Sequence, residues 1–225
     1  MKPFAEIEAI AAARKGGPEA LRALLAETPS RSPAGIAALP DHRILAEMAR
    51  RIFNAGFSSK VIAAKWPGFE AAFHGFDPNA CAHLSEAASD ALMSDPGIVR
   101  NGAKIQAVLA NARLLLELAA EHGSAARFLA EWPDEDYAGL LELLKKRGSH
   151  LGGDSGMRFL RAIGKPAYIT SKDVIAALIR EGVVGKAPSN RKDFAAVQAA
   201  FNRWSAESGH DLTALSRILA MSVGE

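Results

Sequence analysis

An all-α fold is what this 225-residue sequence predicts, and three observations predict it. Apolar residues recur at helical spacing along nearly every segment. No alternating β-branched run is long enough for a strand. Gly, Pro and Asp punctuate the periodic stretches at short intervals.

The elements follow in order. MKPFAEIEAIAAARKGG mixes acids into its apolar stretch and reads as an amphipathic helix, not a secretory signal. Gly16, Gly17 and Pro18 separate it from a second helix, and Thr28 to Asp41 is the least periodic stretch and the candidate linker. Ile44, Leu45, Met48 and Ile52 form a helical stripe beginning near His42. Pro67, Asp77–Pro78, Asp95–Pro96–Gly97 and Trp132–Pro133 mark further breaks. Between the last two lies the cleanest stripe of the chain, Ile105, Val108, Leu109, Ala112, Leu115, Leu116 and Ala119. Tyr137, Leu140, Leu141 and Leu144 make the next face, then Val174, Ile175, Leu178 and Ile179. Phe194, Val197, Phe201 and Trp204 follow, and Leu212, Leu215 and Leu219 close the series. The pattern amounts to about ten to twelve short helices with no internal repeat.

Composition narrows the function classes. Hydrophobic content of 49% and charged content of 23% are ordinary globular values, enough for one well-filled domain or two modest lobes. No apolar run approaches the roughly 20 residues that span a bilayer, so a soluble, cytoplasmic protein is expected. Cys81 is the only cysteine, and it sits between Ala80 and Ala82 as a packed core thiol would. With one cysteine there is no internal disulfide and no multi-cysteine metal site. His42, His74, His83, His122, His150 and His210 are scattered, and neither metal nor cofactor is expected. Net charge is +2, yet residues 141 to 204 hold twelve Lys/Arg against five Asp/Glu, a local +7 that leaves −5 elsewhere. Such a surplus suits a polyanion, although a solvated helical surface also accounts for it.

Residues 144 to 173, LKKRGSHLGGDSGMRFLRAIGKPAYITSKD, carry the chemistry. A helix ends in Lys145, Lys146 and Arg147, a hairpin with Gly148, Gly152 and Gly153 follows, and a second helix starts at once. Three glycines within six positions let several amide N–H groups point outward beside a helix N-terminus. Flanked by basic residues, that nest suits one phosphate of a nucleic-acid backbone, held without reading a base.

Three further segments share a pattern with it: Ala55-Gly56-Phe57-Ser58, then Phe73-His74-Gly75-Phe76-Asp77-Pro78, then Ile98-Val99-Arg100 through Lys104-Ile105. Together with Lys145-Lys146-Arg147-Gly148 they resemble the helix-hairpin-helix DNA glycosylases, specifically the 3-methyladenine DNA glycosylase I family, across roughly residues 44 to 182. The resemblance implies two helical lobes with a central cleft: residues 44–182 with the hairpin in one, residues 1–43 and 183–225 in the other. It implies a monomer acting on double-stranded DNA. A damaged purine is flipped out and its N-glycosidic bond hydrolysed. In the wider superfamily an aspartate lies about twenty residues beyond the hairpin. Asp173 fits that spacing as the catalytic carboxylate, while an alternative register puts Ser171 there. Thr170-x-x-Asp173 also reads as a helix-capping arrangement.

Departures from the family pattern are informative. A family glutamate before the Ala-Gly turn falls at Arg51, and a family aromatic after it falls at Ser59. An arginine repels a cationic alkylbase and a serine offers no stacking face. The family's two-Cys, two-His zinc site has no counterpart. The pocket expected from the resemblance comprises Arg51, Asn54, Phe57, Ser59 and Trp66, with Phe53, Phe57 and Trp66 also reading as core aromatics. Lyase-type members of the superfamily use a lysine just past the hairpin. Asp154, Ser155 and Gly156 stand there instead, which points to hydrolysis without strand cleavage. The alternative is a DNA-binding protein that retains the fold without base excision.

Overall fold

The computed structural model describes residues 1–224. Among these residues are fourteen α-helices, two 3-10 turns and no strand, so the expected fold class holds. The helices are α1 (Phe4–Lys15), α2 (Pro18–Ala26), α3 (Pro33–Ala37), α4 (Asp41–Asn54) and α5 (Ser59–Ala72). Then come α6 (Pro78–Ala82), α7 (Glu86–Leu92), α8 (Gly102–His122), α9 (Ala125–Glu131) and α10 (Tyr137–Arg147). The last four are α11 (Asp154–Ala162), α12 (Lys172–Arg180), α13 (Arg191–Ser208) and α14 (Leu212–Met221).

Short polar residues set most boundaries, as helix-start chemistry requires. The side chains of Ser32, Asp77, Ser85, Asn101, Ser124, Ser171, Asn190 and Asp211 each accept a backbone N–H at the start of a helix. Gly16 ends α1 in the left-handed region at φ 94°, where a side chain is strained, and Pro18 opens α2. Two expectations need correction. The linker stretch Thr28 to Asp41 contains α3, which packs on α9. Pro67 is not a break, because α5 runs through it with Trp66 and Phe69 buried on either side. A proline there removes a single helix hydrogen bond, a loss that aromatic burial offsets.

The chain forms two compact units. The internal unit comprises residues 32–132 and 141–163, and the terminal unit residues 1–31, 133–140 and everything from Gly164 onward. The unit boundaries fall at 31/32, 132/133, 140/141 and 163/164, where the resemblance implied 43/44 and 182/183.

In the internal unit, α8 is the spine, with α4, α6 and α9 packed on it. Ile105, Val108, Ala112, Leu115 and Leu118 are buried on α8, and Ile44, Leu45, Met48 and Ile52 are buried on α4, which packs against it. An aromatic cluster completes it. Phe53 meets Phe69 edge-on at 4.6 Å, and Phe69, Phe73, Phe76 and Trp66 stack at 5.2–6.4 Å between centroids. Cys81 is fully buried there and burial pushes its thiol up to about 12, so it is the inert core residue expected.

In the terminal unit, the segment between α11 and α12 is non-helical and mostly buried, so its N–H groups need acceptors outside a helix. Thr213 and Ser216 of α14 supply them, at 3.0 Å from Ala167 N and 3.1 Å from Ile169 N. Tyr137 donates its hydroxyl to Tyr168 O at 3.2 Å, and Phe201, Trp204 and Phe4 extend the aromatic core.

Candidate nucleic-acid interface

The hairpin joins α10 to α11 in the internal unit and is fixed by close approaches that only glycine permits. A Cβ on Gly148 would lie 2.6 Å from Leu144 O and 2.8 Å from Leu151 Cδ1. One on Gly156 would lie 2.3 Å from Leu151 O, so the first turn of α11 presses directly on the hairpin backbone. Gly153 sits at φ 58°, with nothing near its absent Cβ, and His150 also adopts a left-handed φ of 58°. Leu151 is fully buried and anchors the loop from beneath.

The outward nest is shorter than the glycine pattern suggested. Gly148 N–H donates to Leu144 O at 2.9 Å and closes the last turn of α10, so it is not available to a ligand. Ser149 N–H donates to Asn111 Oδ1 at 2.8 Å. Gly152 and Gly153 are exposed, and their N–H groups donate to no acceptor among the described residues. They lie immediately before α11, where unsatisfied amides and the helix dipole both favour an anion.

Of the three basic residues before the hairpin, Lys145 and Lys146 are exposed. Arg147 is committed elsewhere. Its guanidinium bonds Glu121 at 2.7 and 2.8 Å and Glu117 at 3.1 Å on α8, which raises its own affinity for its proton and holds the Glu121 carboxyl below the usual glutamate range. Arg147 therefore ties the end of α10 to α8, where the sequence had suggested a phosphate contact.

The residues expected to line a pocket lie at the end of α4 and the start of α5, also in the internal unit. Arg51 is half-buried and paired with Glu47, one turn earlier, at 3.0 Å. Asn54 is half-buried, and its Oδ1 is inaccessible without a hydrogen-bond partner. Phe57 is exposed at 41%, and Ser59, the first residue of α5, is exposed. Trp66 is a correction: it is 8% exposed, with Arg50 lying 4.1 Å over its ring, Phe76 stacked at 5.2 Å and its Nε1 donating to Glu70 at 3.1 Å. A ring so engaged is core and has no free face for a base.

Lys104 holds this turn in place. It is 9% exposed and donates its Nζ to Ala55 O and, at 3.5 Å, to Phe53 O, the carbonyls left open at the end of α4. The Phe57 ring lies 4.7 Å from the same ammonium, and burial pulls the Lys104 pKa down. In the sequence Lys104 was one member of a motif with no stated role.

Asp173 belongs to the terminal unit, whereas the hairpin and pocket candidates belong to the internal one. It is exposed in the first turn of α12. The cap is made by Ser171, whose Oγ accepts from Val174 N at 3.3 Å, so the Thr170 capping reading is displaced by one residue. With Ser171 committed to the cap, Asp173 is the free carboxylate of this helix start, in a position the dipole favours. Among the described residues there is no group of three or more His, Cys, Asp or Glu side chains placed to hold a metal, and no helix is long and apolar enough to cross a membrane.

Sequence reasoning passed over Asn111, and it took Gly156 only as a residue standing where a lyase lysine would, not as a close-packing glycine. Asn111 is fully buried in the stripe of α8, where Lys104, Val108, Asn111 and Leu115 share one face. The available signal was a polar residue at a stripe position.

An all-α chain with a helix-hairpin-helix of this kind is like solved structures of 3-methyladenine DNA glycosylase I. A tyrosine-to-phenylalanine variant in complex with 3-methyladenine superposes with a TM-score of 0.51 at 25% identity, covering 56% of this chain and 77% of that one. A glutamate-to-glutamine variant from Staphylococcus aureus shares the fold, with a TM-score of 0.50 at 24% identity over 66% of this chain and 84% of that one. The family described as methyladenine glycosylase matches residues 35–140, a stretch that ends before the hairpin. DNA-3-methyladenine glycosylase 1 of Escherichia coli K12 is 39% identical over 65 residues, which is 29% of this chain and 35% of that protein. DNA-3-methyladenine glycosylase of Haemophilus influenzae is 34% identical over the same length and shares. The matched stretch thus spans about a third of these curated relatives. Together these likenesses support the 3-methyladenine DNA glycosylase I family.

Proposed function

We propose that this protein is a DNA glycosylase that removes an alkylated or otherwise damaged purine by hydrolysing its N-glycosidic bond, without cutting the strand. The observation that carries the reading is the hairpin: two exposed, unbonded amides at Gly152 and Gly153, beside a helix start and the exposed Lys145 and Lys146. That arrangement suits one phosphate of duplex DNA and demands no base sequence. Likeness to relatives named for 3-methyladenine, one of them solved with that base, supports the substrate class.

The chemistry asked of the protein is modest. A purine alkylated on a ring nitrogen is already cationic, so it departs as a neutral molecule once the glycosidic bond breaks. The deoxyribose left behind develops oxocarbenium character, which a carboxylate stabilises while water adds to the anomeric carbon and loses its proton. Asp173, exposed at the start of α12, is the carboxylate we assign to this role. Taken by itself, the internal unit offers Phe57 and Ser59 as exposed candidates for contact with a base, beside the half-buried Arg51 and Asn54. Asp154 lies just past the hairpin and bonds Arg158 at 2.5 Å, and no lysine stands there to form an imine with the sugar.

The test is base release from methylated duplex DNA by purified protein. Wild type should release free purine and leave abasic sites that break only on alkaline treatment, and Asp173→Asn should lose this activity while still binding DNA. Failure to release any base from a panel that includes uracil and deaminated purines would leave a DNA-binding protein without excision.

A further inference from the structure

We propose that Asn111 is the positioning residue of the hairpin, the side chain that makes Gly152 and Gly153 available to a phosphate; this rests on the DNA-docking reading above. Asn111 lies in the middle of the longest helix, fully buried among Ala107, Val108, Leu114 and Leu115. A polar amide at such a place is unfavourable unless both its ends are satisfied. Both are. Nδ2 donates to Ser149 O at 2.9 Å and Oδ1 accepts from Ser149 N–H at 2.8 Å, thirty-eight residues away in sequence.

This two-point bond grips one residue of the loop through its N–H and C=O, and so fixes the peptide units on both sides of Ser149; its consequences run outward in both directions. Toward α10, Gly148 is closed onto Leu144 O and Arg147 is held by Glu117 and Glu121, so three side chains of α8 grip the approach to the hairpin. Away from α10, His150 is turned into the left-handed region, Leu151 is driven into the core, and Gly152 and Gly153 emerge with free N–H groups. With Ser149 N–H consumed inside the protein, the loop has a defined inner face, and the exposed amides are those beyond it. An apolar residue at 111 leaves a buried N–H and C=O of Ser149 without partners, and the loop then rearranges to reach water.

The amide is also the group that matters, because it alone combines donor and acceptor on a planar fork. That gives a test which separates positioning from mere core packing. Asn111→Leu keeps the branching at Cγ in a somewhat larger side chain and removes both bonds. Asn111→Asp keeps the acceptor for Ser149 N–H, but when ionised it turns an oxygen toward Ser149 O. Protonation restores the donor, and burial raises the pH at which this occurs.

The experiment measures affinity for duplex DNA of wild type, Asn111→Leu and Asn111→Asp across pH, with thermal unfolding followed in parallel. His150, whose Nδ1 lies 3.3 Å from Ser149 Oγ, and the Arg147–Glu117–Glu121 group are present in all three proteins, so the ratio to wild type is read. Asn111→Leu should bind about tenfold more weakly at every pH. Asn111→Asp should match that loss at high pH and recover toward wild type as pH falls. A folded Asn111→Leu that binds as wild type, or an Asn111→Asp ratio independent of pH, overturns the assignment. Wild type that fails to bind duplex DNA overturns the docking reading itself. Should Asn111→Leu fail to fold, the Asn111→Asp titration decides alone.

Discussion

The hairpin at 148–156 and the turn at 51–66 both carry motif residues, and they differ in what is left over once the protein has folded. At the hairpin the leftover groups are backbone: the amides of Gly152 and Gly153 stay exposed and unbonded. At the turn the leftover groups are buried side-chain atoms, Asn54 Oδ1 and the Nε of Arg50 and Arg51, while the other side chains satisfy one another. Arg51 takes Glu47, Trp66 takes Arg50, Phe76 and Glu70, and Lys104 takes the open carbonyls of α4. A site built from backbone is announced by glycine, whose conformational freedom is a local property. A site built from side chains depends on neighbours that arrive from elsewhere in the chain. Glycine spacing therefore foretells the first region more directly than side-chain type foretells the second.

Breaking the turn should expose this difference most strongly. Trp66→Ala removes a ring packed on three partners and should destabilise the protein by about 3–5 kcal/mol in denaturant unfolding, as large core deletions do. A fully stable Trp66→Ala that had lost base release would instead return the ring to the pocket. Next in size, Gly156→Ala forces a methyl toward Leu151 O and should cost about 1–3 kcal/mol, with a loss of DNA affinity that a change on the far side of α11 does not produce.

Smaller effects sharpen the hairpin side. Lys145→Gln with Lys146→Gln should leave stability unchanged and lower the slope of log affinity against log salt by about 2, equally for all DNA sequences. Arg147→Gln should reduce affinity less than the lysine pair, because its guanidinium already faces Glu117 and Glu121. Its signature lies in pH dependence. The folded Glu121 pKa is held below its unfolded value by Arg147, so the bond stabilises the protein above the ordinary glutamate range and is lost as pH falls through the lowered value. Arg147→Gln should flatten the acid limb of stability in this window, and an unchanged limb would remove the bond from the account.

The legibility of the sequence follows the same division. Helical stripes such as Ile44, Leu45, Met48 and Ile52 were readable because burial of one helix face is periodic, and all four are buried. The short capped helix α3 was not, since five residues carry no period. Pro67 misled because propensity is local and the aromatic core around Trp66 and Phe69 overrides it. In the candidate site the glycines and lysines could be seen. The commitment of Arg147 to α8 could not, because Glu117 and Glu121 lie twenty-six and more residues away. Asn111 was visible only as a polar residue inside an apolar stripe, and its partner at Ser149 is settled by tertiary structure.

The central claim is that free main-chain amides at the hairpin receive DNA, and amide hydrogen exchange with resonance assignment tests it directly. Addition of an undamaged duplex should shift and protect the N–H groups of Gly152 and Gly153 and leave those of Gly148 and Ser149, already bonded within the protein, unchanged. A duplex that binds while Gly152 and Gly153 exchange as freely as before would contradict the account.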